Sequence, residues 1–211
     1  MQAVVIAGGQ INDSGTCRLL VSRADLLIAA NGGALHVLGL GLVPDVVIGD
    51  LDSLTQEQVE YLHRAGCRFL THPARKNETD AELALLYAVE QGADEVAILG
   101  ALGGRLDHTL ANALLLALPE LKEVRVSLVD GPQEMILIRD EGTIRGQVGD
   151  TVSLLPIAGD AEGITTHGLE YALDDEALVF GRTRGVSNAL TSPTAHIRLR
   201  KGALLCVHSK P

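Results

Sequence analysis

Apolar residues in the first 130 positions gather in short blocks: Val4–Ala7, Leu26–Ala30, Val46–Ile48, Arg68–Thr71, Val96–Leu99 and Val124–Val129. Val-, Ile- and Leu-rich blocks with little polar alternation predict strands buried on both faces of a sheet. Helical patterns fill several of the gaps. Thr55-Gln56-Glu57-Gln58 and Thr79-Asp80-Ala81-Glu82 read as capping boxes opening helices to about residues 65 and 91. Gly66 and Gly92 follow, where a helix end favours a residue tolerant of positive φ. A third helix is expected from Leu106 to Leu118, stopping before Pro119. Strands alternating with helices predict an α/β domain of Rossmann-like type, a parallel sheet with helices on both faces.

The texture changes after Asp130-Gly131-Pro132. Met135–Ile138, Thr143–Arg145, Thr151–Pro156, Gly163–Thr166, Ala177–Phe180, Ala195–Arg200 and Ala203–His208 are short strand candidates broken by Gly, Asp and Pro, with no helix-length periodic segment. This predicts a C-terminal all-β sandwich. The expected domains are residues 1–132 (α/β) and 133–211 (all-β).

Composition narrows the function classes. With 46% hydrophobic residues the chain can bury a core, which must be aliphatic, since there are only three Tyr, two Phe and no Trp. A net charge of -10 without a Lys/Arg stripe argues against a nucleic-acid footprint, and stacking platforms are scarce. Cys17, Cys67 and Cys206 have neither metal-ligand spacing nor an even count, so they are expected as core residues rather than a disulfide framework. No apolar stretch approaches the roughly 20 residues that cross a bilayer, and no signal peptide is seen, so a cytoplasmic protein without membrane partners is expected.

Candidate chemistry collects where ligands bind in open parallel sheets, in the loops beyond the carboxyl ends of the strands. These loops hold Gly8-Gly9-Gln10, Asn31-Gly32-Gly33, Gly49-Asp50-Leu51-Asp52-Ser53, Lys76-Asn77-Glu78-Thr79-Asp80 and Gly100 through His108. Asp50 and Asp52, two residues apart in an extended segment, can converge on one hard cation, and magnesium takes one or two carboxylates plus substrate phosphates. The same residues could simply end a strand and cap a helix. Asp80 at a helix start, with Lys76 four residues upstream, makes a cradle for a metal-bound polyphosphate, or else compensates a helix dipole. Gly103-Gly104-Arg105 lets the backbone approach an anion and adds a guanidinium fork, without the Gly-Lys-Ser/Thr ending of a Walker loop. In the second domain Gly181 through Asn188 is a polar loop whose Ser187 and Asn188 could read the edge of a heteroaromatic ring, or a solvated hairpin.

In this order the motifs resemble the thiamine pyrophosphokinase family: Gly32-Gly33-Ala34, Pro44-Asp45 with Gly49 through Ser53, Lys76 through Asp80, Gly103 through His108, and Gly181 through Asn188. The resemblance implies an α/β catalytic domain that binds ATP, a β-sandwich that binds thiamine, and a homodimer with active sites at the subunit interface. It implies transfer of a diphosphate from ATP to the thiamine hydroxyl, giving thiamine diphosphate and AMP. By motif matching, Asp50, Asp52 and Asp80 would hold Mg2+ and the migrating phosphates. Lys76, Asn77, Thr79, Gly104 and Arg105 would contact ATP. Asp107 would meet thiamine from one subunit, with Ser187 and Asn188 from the other. Asp80 or Asp52 would take the hydroxyl proton.

Two departures bear on this resemblance. Asn31 stands where the family commonly has Asp, and Asn77 where it commonly has Asp after Lys. Each removes a negative charge. The lack of Trp also removes a ring that some members stack on the acceptor, leaving an aliphatic side chain to serve there. Two alternatives therefore stand beside the kinase: a diphosphokinase of the same fold acting on another heterocyclic alcohol, such as a hydroxymethyl pterin, and a nucleotide- or thiamine-binding sensor without turnover.

Overall fold

The structure is a computed structural model and describes residues 1–210. The chain divides into two compact units at Gly131/Pro132.

The first unit runs β1 (Gln2–Ile6), α1 (Ser14–Val21), β2 (Leu26–Ala30), α2 (Gly33–Gly39), β3 (Val46–Gly49), α3 (Gln56–Arg64), β4 (Arg68–Thr71), α4 (Asp80–Glu90), β5 (Glu95–Leu99), α5 (Leu106–Leu115), a 3-10 turn (Pro119–Leu121) and β6 (Arg125–Asp130). Its strands form a parallel sheet in the order β6-β5-β1-β2-β3-β4. Four of the six expected strands fit the buried pattern, and β6 fits it only at Val126 and Leu128. β4 does not, because it is the edge strand of this sheet and three of its four residues are exposed. The core includes Val4, Ile6, Leu27, Ala29, Val47, Leu62 and Leu99.

Thr55 forms the full reciprocal capping box with Gln58, and the Thr79 side chain accepts from the Glu82 N–H. Helix α5 ends at Leu115, earlier than expected, because the segment before Pro119 caps at Leu116 and then tightens into the 3-10 turn. Two helices were not read from the sequence. α1 is only eight residues long and is capped by Asp13, whose carboxylate accepts from the Gly15 N–H. α2 begins and ends on glycine, which lowers its helical signal.

The second unit holds β7 (Gln133–Ile138), β8 (Glu141–Arg145), β9 (Thr151–Pro156), β10 (Ala161–His167), β11 (Glu176–Leu178), β12 (Asn188–Ala189), β13 (Thr194–Arg198) and β14 (Leu204–Ser209). They form two antiparallel arrays, β12-β9-β14-β7 and β11-β10-β13-β8. Residues from both share one core, including Ile138, Val152, Leu154, Ile164, Ile197 and Leu204. The two-residue β12 is too short to carry a hydrophobic period, so the sequence does not announce it. A buried pair, His208 and Asp150 at 2.8 Å, sits under Gly146, where a Cβ would lie 2.3 Å from the Asp150 carboxylate. The Gln147 N–H and then His208 hold the Asp150 carboxyl below its usual range.

All three cysteines are buried and free. Burial pushes Cys67 up to about 11 and Cys206 up to about 12, from an ordinary 9.0. Because the folded values lie above the unfolded one, the contribution is complete below about pH 9 and is lost as pH rises towards 11 and 12. Native protein at pH 8 is expected to leave all three thiols unreactive to a disulfide reagent, with three reacting per chain in denaturant. Cys206→Val is expected to lessen the loss of stability between pH 9 and 11 in urea titrations.

Candidate active site

The strand order places a switch at β1. From there the chain builds outward through β2, β3 and β4, then returns to add β5 and β6 on the other side. Loops leaving β1 and β5 therefore part around a crevice at the carboxyl ends of the strands, where ligands bind in open α/β sheets. A cleft of about 440 Å³ lies there, lined by residues of five strand-end segments, among them Gly8, Gly9, Asn31, Ser53, Asp80 and Arg105.

Backbone bonds fix its walls. Gly9 N–H donates to the Gly100 carbonyl at 2.6 Å and Gln10 N–H to the Leu102 carbonyl at 2.9 Å. A Cβ on Gly9 would lie 2.5 Å from that Gly100 oxygen, so this close approach requires glycine. His36 Nε2 lies 2.7 Å from the Gly9 carbonyl and ties α2 to the same loop, and the buried Asn112 amide donates to the Ala101 carbonyl at 2.7 Å. His36 and Asn112 were missed in the sequence, since each acts on backbone distant along the chain.

The acids converge, but not along an extended segment. Leu51, between Asp50 and Asp52, has φ 64, and Asn31 has φ 42. Left-handed conformations are uncommon for residues other than glycine, and a bulky Leu there is an outlier. Of four such non-glycine residues among those described, Asn31, Leu51 and Ser187 fall in the candidate site segments, so backbone strain is concentrated where function was expected. The reversal at Leu51 brings both carboxylates to one amide: Asn31 Nδ2 donates to Asp50 Oδ1 and to Asp52 Oδ1, both at 2.9 Å. Ser53 Oγ donates to Asp52 Oδ1 at 3.1 Å. The Asn31 and then the Ser53 hydrogen bond hold the Asp52 carboxyl below its usual range. Gly49, at φ 148, sits against both groups: a Cβ there would meet Asn31 Cβ at 2.8 Å and the Asp80 carboxyl carbon at 3.0 Å.

Asp80 is paired with Lys76, whose ammonium donates to Asp80 Oδ1; the two side chains are 23% and 12% exposed. Thr79, Asp80, Gly104 and Arg105 line the cleft itself. Asp50 and Asp52 join it through Asn31, and Lys76 joins it through Asp80. Asn77 is exposed outside the lining. Asp107 is held by Arg105, with Nε to Oδ1 at 3.1 Å and Nη2 to Oδ2 at 2.6 Å, which lowers its carboxyl to about 2.

The donor set suits a small hard cation. Asp50 Oδ1 and Asp52 Oδ1 meet at the Asn31 amide, and Asn31 Oδ1 is a buried acceptor with no hydrogen-bond partner among the described residues. Among the described residues no three His, Cys, Asp or Glu side chains form a ready cage. Magnesium typically takes one or two carboxylates and completes its octahedron with water and substrate phosphate.

In the second unit, Asn188 lines a separate cavity of about 430 Å³ with Tyr171, Glu170, Leu173 and Arg184. The Asn188 amide is engaged at both ends: its Oδ1 accepts from the Tyr171 N–H at 2.9 Å and its Nδ2 donates to the Tyr171 carbonyl at 2.8 Å. The Ser187 N–H donates to Ser153 Oγ at 3.1 Å, and Ser187 is exposed beside the cavity rather than lining it. Tyr171, which lines the same cavity, is 67% exposed.

Comparison with known proteins places the chain among the kinases, transferases that move a phosphate-bearing group. A family model described as thiamin pyrophosphokinase, catalytic domain, matches residues 17–128, and one described as thiamin pyrophosphokinase, vitamin B1 binding domain, matches residues 138–204. The chain belongs to the thiamine pyrophosphokinase family, a family of diphosphotransferase enzymes. It is 28% identical to thiamine pyrophosphokinase of Bacillus subtilis (strain 168), over 97% of each chain. The solved structure of thiamine pyrophosphokinase from Bacillus subtilis superposes with a TM-score of 0.87 at 27% identity, covering 100% of this chain and 99% of that one. That of thiamin pyrophosphokinase from Geobacillus thermodenitrificans gives 0.85 at 26% identity, covering 100% and 98%.

Proposed function

We propose that the chain transfers the β- and γ-phosphoryl groups of ATP as one diphosphate to the hydroxyl of thiamine, with magnesium as cofactor. The hydroxyl oxygen bonds to the β-phosphorus as the bond from β-phosphorus to the bridging α-oxygen breaks, AMP leaves with that oxygen, and Asp80 would take the hydroxyl proton. The observation that carries this reading is the gathering of Asp50 and Asp52 on the Asn31 amide, against Asp80 and beside the Gly103–Arg105 loop.

Phosphoryl transfer asks a protein mainly for positioning and charge neutralisation. Asp50, Asp52 and Asp80 would hold Mg2+, which neutralises phosphate charge. Held below its usual range, Asp52 is a weak base and stays ionised, as a ligand must. Lys76, Thr79, the Gly104 backbone and Arg105 would receive the phosphates in a Rossmann-like nucleotide site, with Asn77 at its rim. Asp107 offers a negative charge to the thiazolium. From a second copy of the chain, Asn188 would fix the Tyr171 backbone and Tyr171 would present a ring to the acceptor, with Ser187 beside it.

A homodimer in the cytoplasm completes the reading. Leu106, Leu110 and Leu114 recur every fourth residue on α5 and are 80%, 66% and 57% exposed. A stripe of this kind is a surface made to be covered. It starts at the loop that lines the cleft, so a second copy seated on α5 would border the site. Leu110→Glu is expected to halve the mass measured by light scattering and to lower turnover, with helical content unchanged. A dimeric variant of full activity would remove α5 from the interface.

Turnover itself is tested by supplying ATP, Mg2+ and thiamine and resolving the products. Equal amounts of AMP and thiamine diphosphate support the reading, whereas ADP and thiamine monophosphate would mean that a single phosphoryl group is moved.

A further inference from the structure

Lys76 and Asp80 are each most of the way out of water, at 12% and 23% exposed, and each is the other's counter-charge. Asp80 also lies against Gly49 and Asn31, at the edge of the Asp50–Asp52 cluster. One carboxylate is therefore spoken for by an ammonium while standing where a cation would use it.

We propose that Lys76 is a placeholder cation, and that metal and polyphosphate enter together by exchanging partners with this ion pair. This rests on the reading of Asp80 as a metal ligand. A divalent cation arriving alone must either forgo Asp80 or take it from Lys76, leaving a mostly buried ammonium without a counter-charge. A polyphosphate arriving alone meets the reverse problem: if it takes Lys76, Asp80 is left ionised against phosphate oxygens. When the two arrive as a complex, Lys76 passes to a phosphate oxygen and Asp80 to the metal, and no charge is stranded. The site is thus selective for the metal–nucleotide complex over either component, and the pair is what excludes the components. No bond is made or broken in the exchange, only ion pairs.

The signs of two binding measurements, neither requiring turnover, separate this from a passive salt bridge. Lys76→Met frees Asp80 and is expected to bind Mn2+ about tenfold more tightly than the unaltered chain without nucleotide, read by electron paramagnetic resonance, the effect of about one partly buried charge pair. Asp80→Asn frees Lys76 and is expected to bind ATP in EDTA more tightly by a similar factor, read by calorimetry. Unchanged or weaker binding in either folded variant would overturn the proposal. Should Lys76→Met fail to fold, Lys76→Gln takes its place. Failure of the diphosphotransfer reading is distinct, since it would appear as an unaltered chain that forms no AMP or thiamine diphosphate.

Discussion

Asp52→Asn is expected to lower diphosphate transfer by about a hundred- to a thousandfold, the usual effect of removing one group that neutralises transition-state charge. The melting temperature should stay within a degree or two of the unaltered chain. Asp52 is exposed, and an amide keeps the oxygen that accepts from Asn31 and Ser53, so packing and most hydrogen bonding survive. What disappears is a negative charge directed at the cation. Asn31 makes this informative, because its amide donates to both Asp50 and Asp52 and so helps to fix the loop. The variant's defect should therefore lie in cation affinity and turnover rather than in the shape of the loop. Steady-state kinetics with thermal melts would check both, and near-normal turnover would remove Asp52 from the metal site.

Gly33→Ala is expected to cost about 3 kcal/mol or more, the penalty of forcing a methyl group into packed backbone. A Cβ at Gly33 would lie 1.8 Å from the Ile6 carbonyl oxygen and 2.6 Å from its carbon. Neither side can yield cheaply. β1 is paired on both edges, to β2 and β5, and the first turn of α2 is held by the Ala34 N–H bond to the Asn31 carbonyl. Relief would push α2 away from the strand ends and move Asn31 and Gly32 with it, so binding should fall along with stability. Gly39→Ala on the same helix is the control. A Cβ there meets nothing within 4 Å, and the change should be neutral or stabilising by up to about 1 kcal/mol. Urea titration of the two variants decides, and equal stabilities would refute the tight seating of α2 on β1.

The α/β half was legible because buried parallel strands write themselves as apolar blocks and because α3 and α4 open on Thr caps. α1 and α2 were not, since short helices seated by tertiary contact show little periodicity of their own. Of the candidate residues, Asp50, Asp52, Lys76, Asp80 and Arg105 could be picked out because charged residues beyond strand ends exceed what turns require, and Thr79 because it opens a helix. Their pairing could not. That Asn31 bridges two acids nineteen and twenty-one residues away, that Lys76 neutralises Asp80, and that Asn188 spends its amide on Tyr171 are matters of three-dimensional placement. Asn31 shows the difference most clearly. In the sequence it is a missing charge, while in the fold its amide stands between two carboxylates that would otherwise repel.

The most direct test is to give the purified protein ATP, Mg2+ and an acceptor, thiamine in one series and a hydroxymethyl pterin in another, and to follow AMP with the diphosphorylated product. AMP and thiamine diphosphate in equal amounts, with no product from the pterin, is the predicted result. A folded protein that binds ATP yet forms no thiamine diphosphate would contradict it.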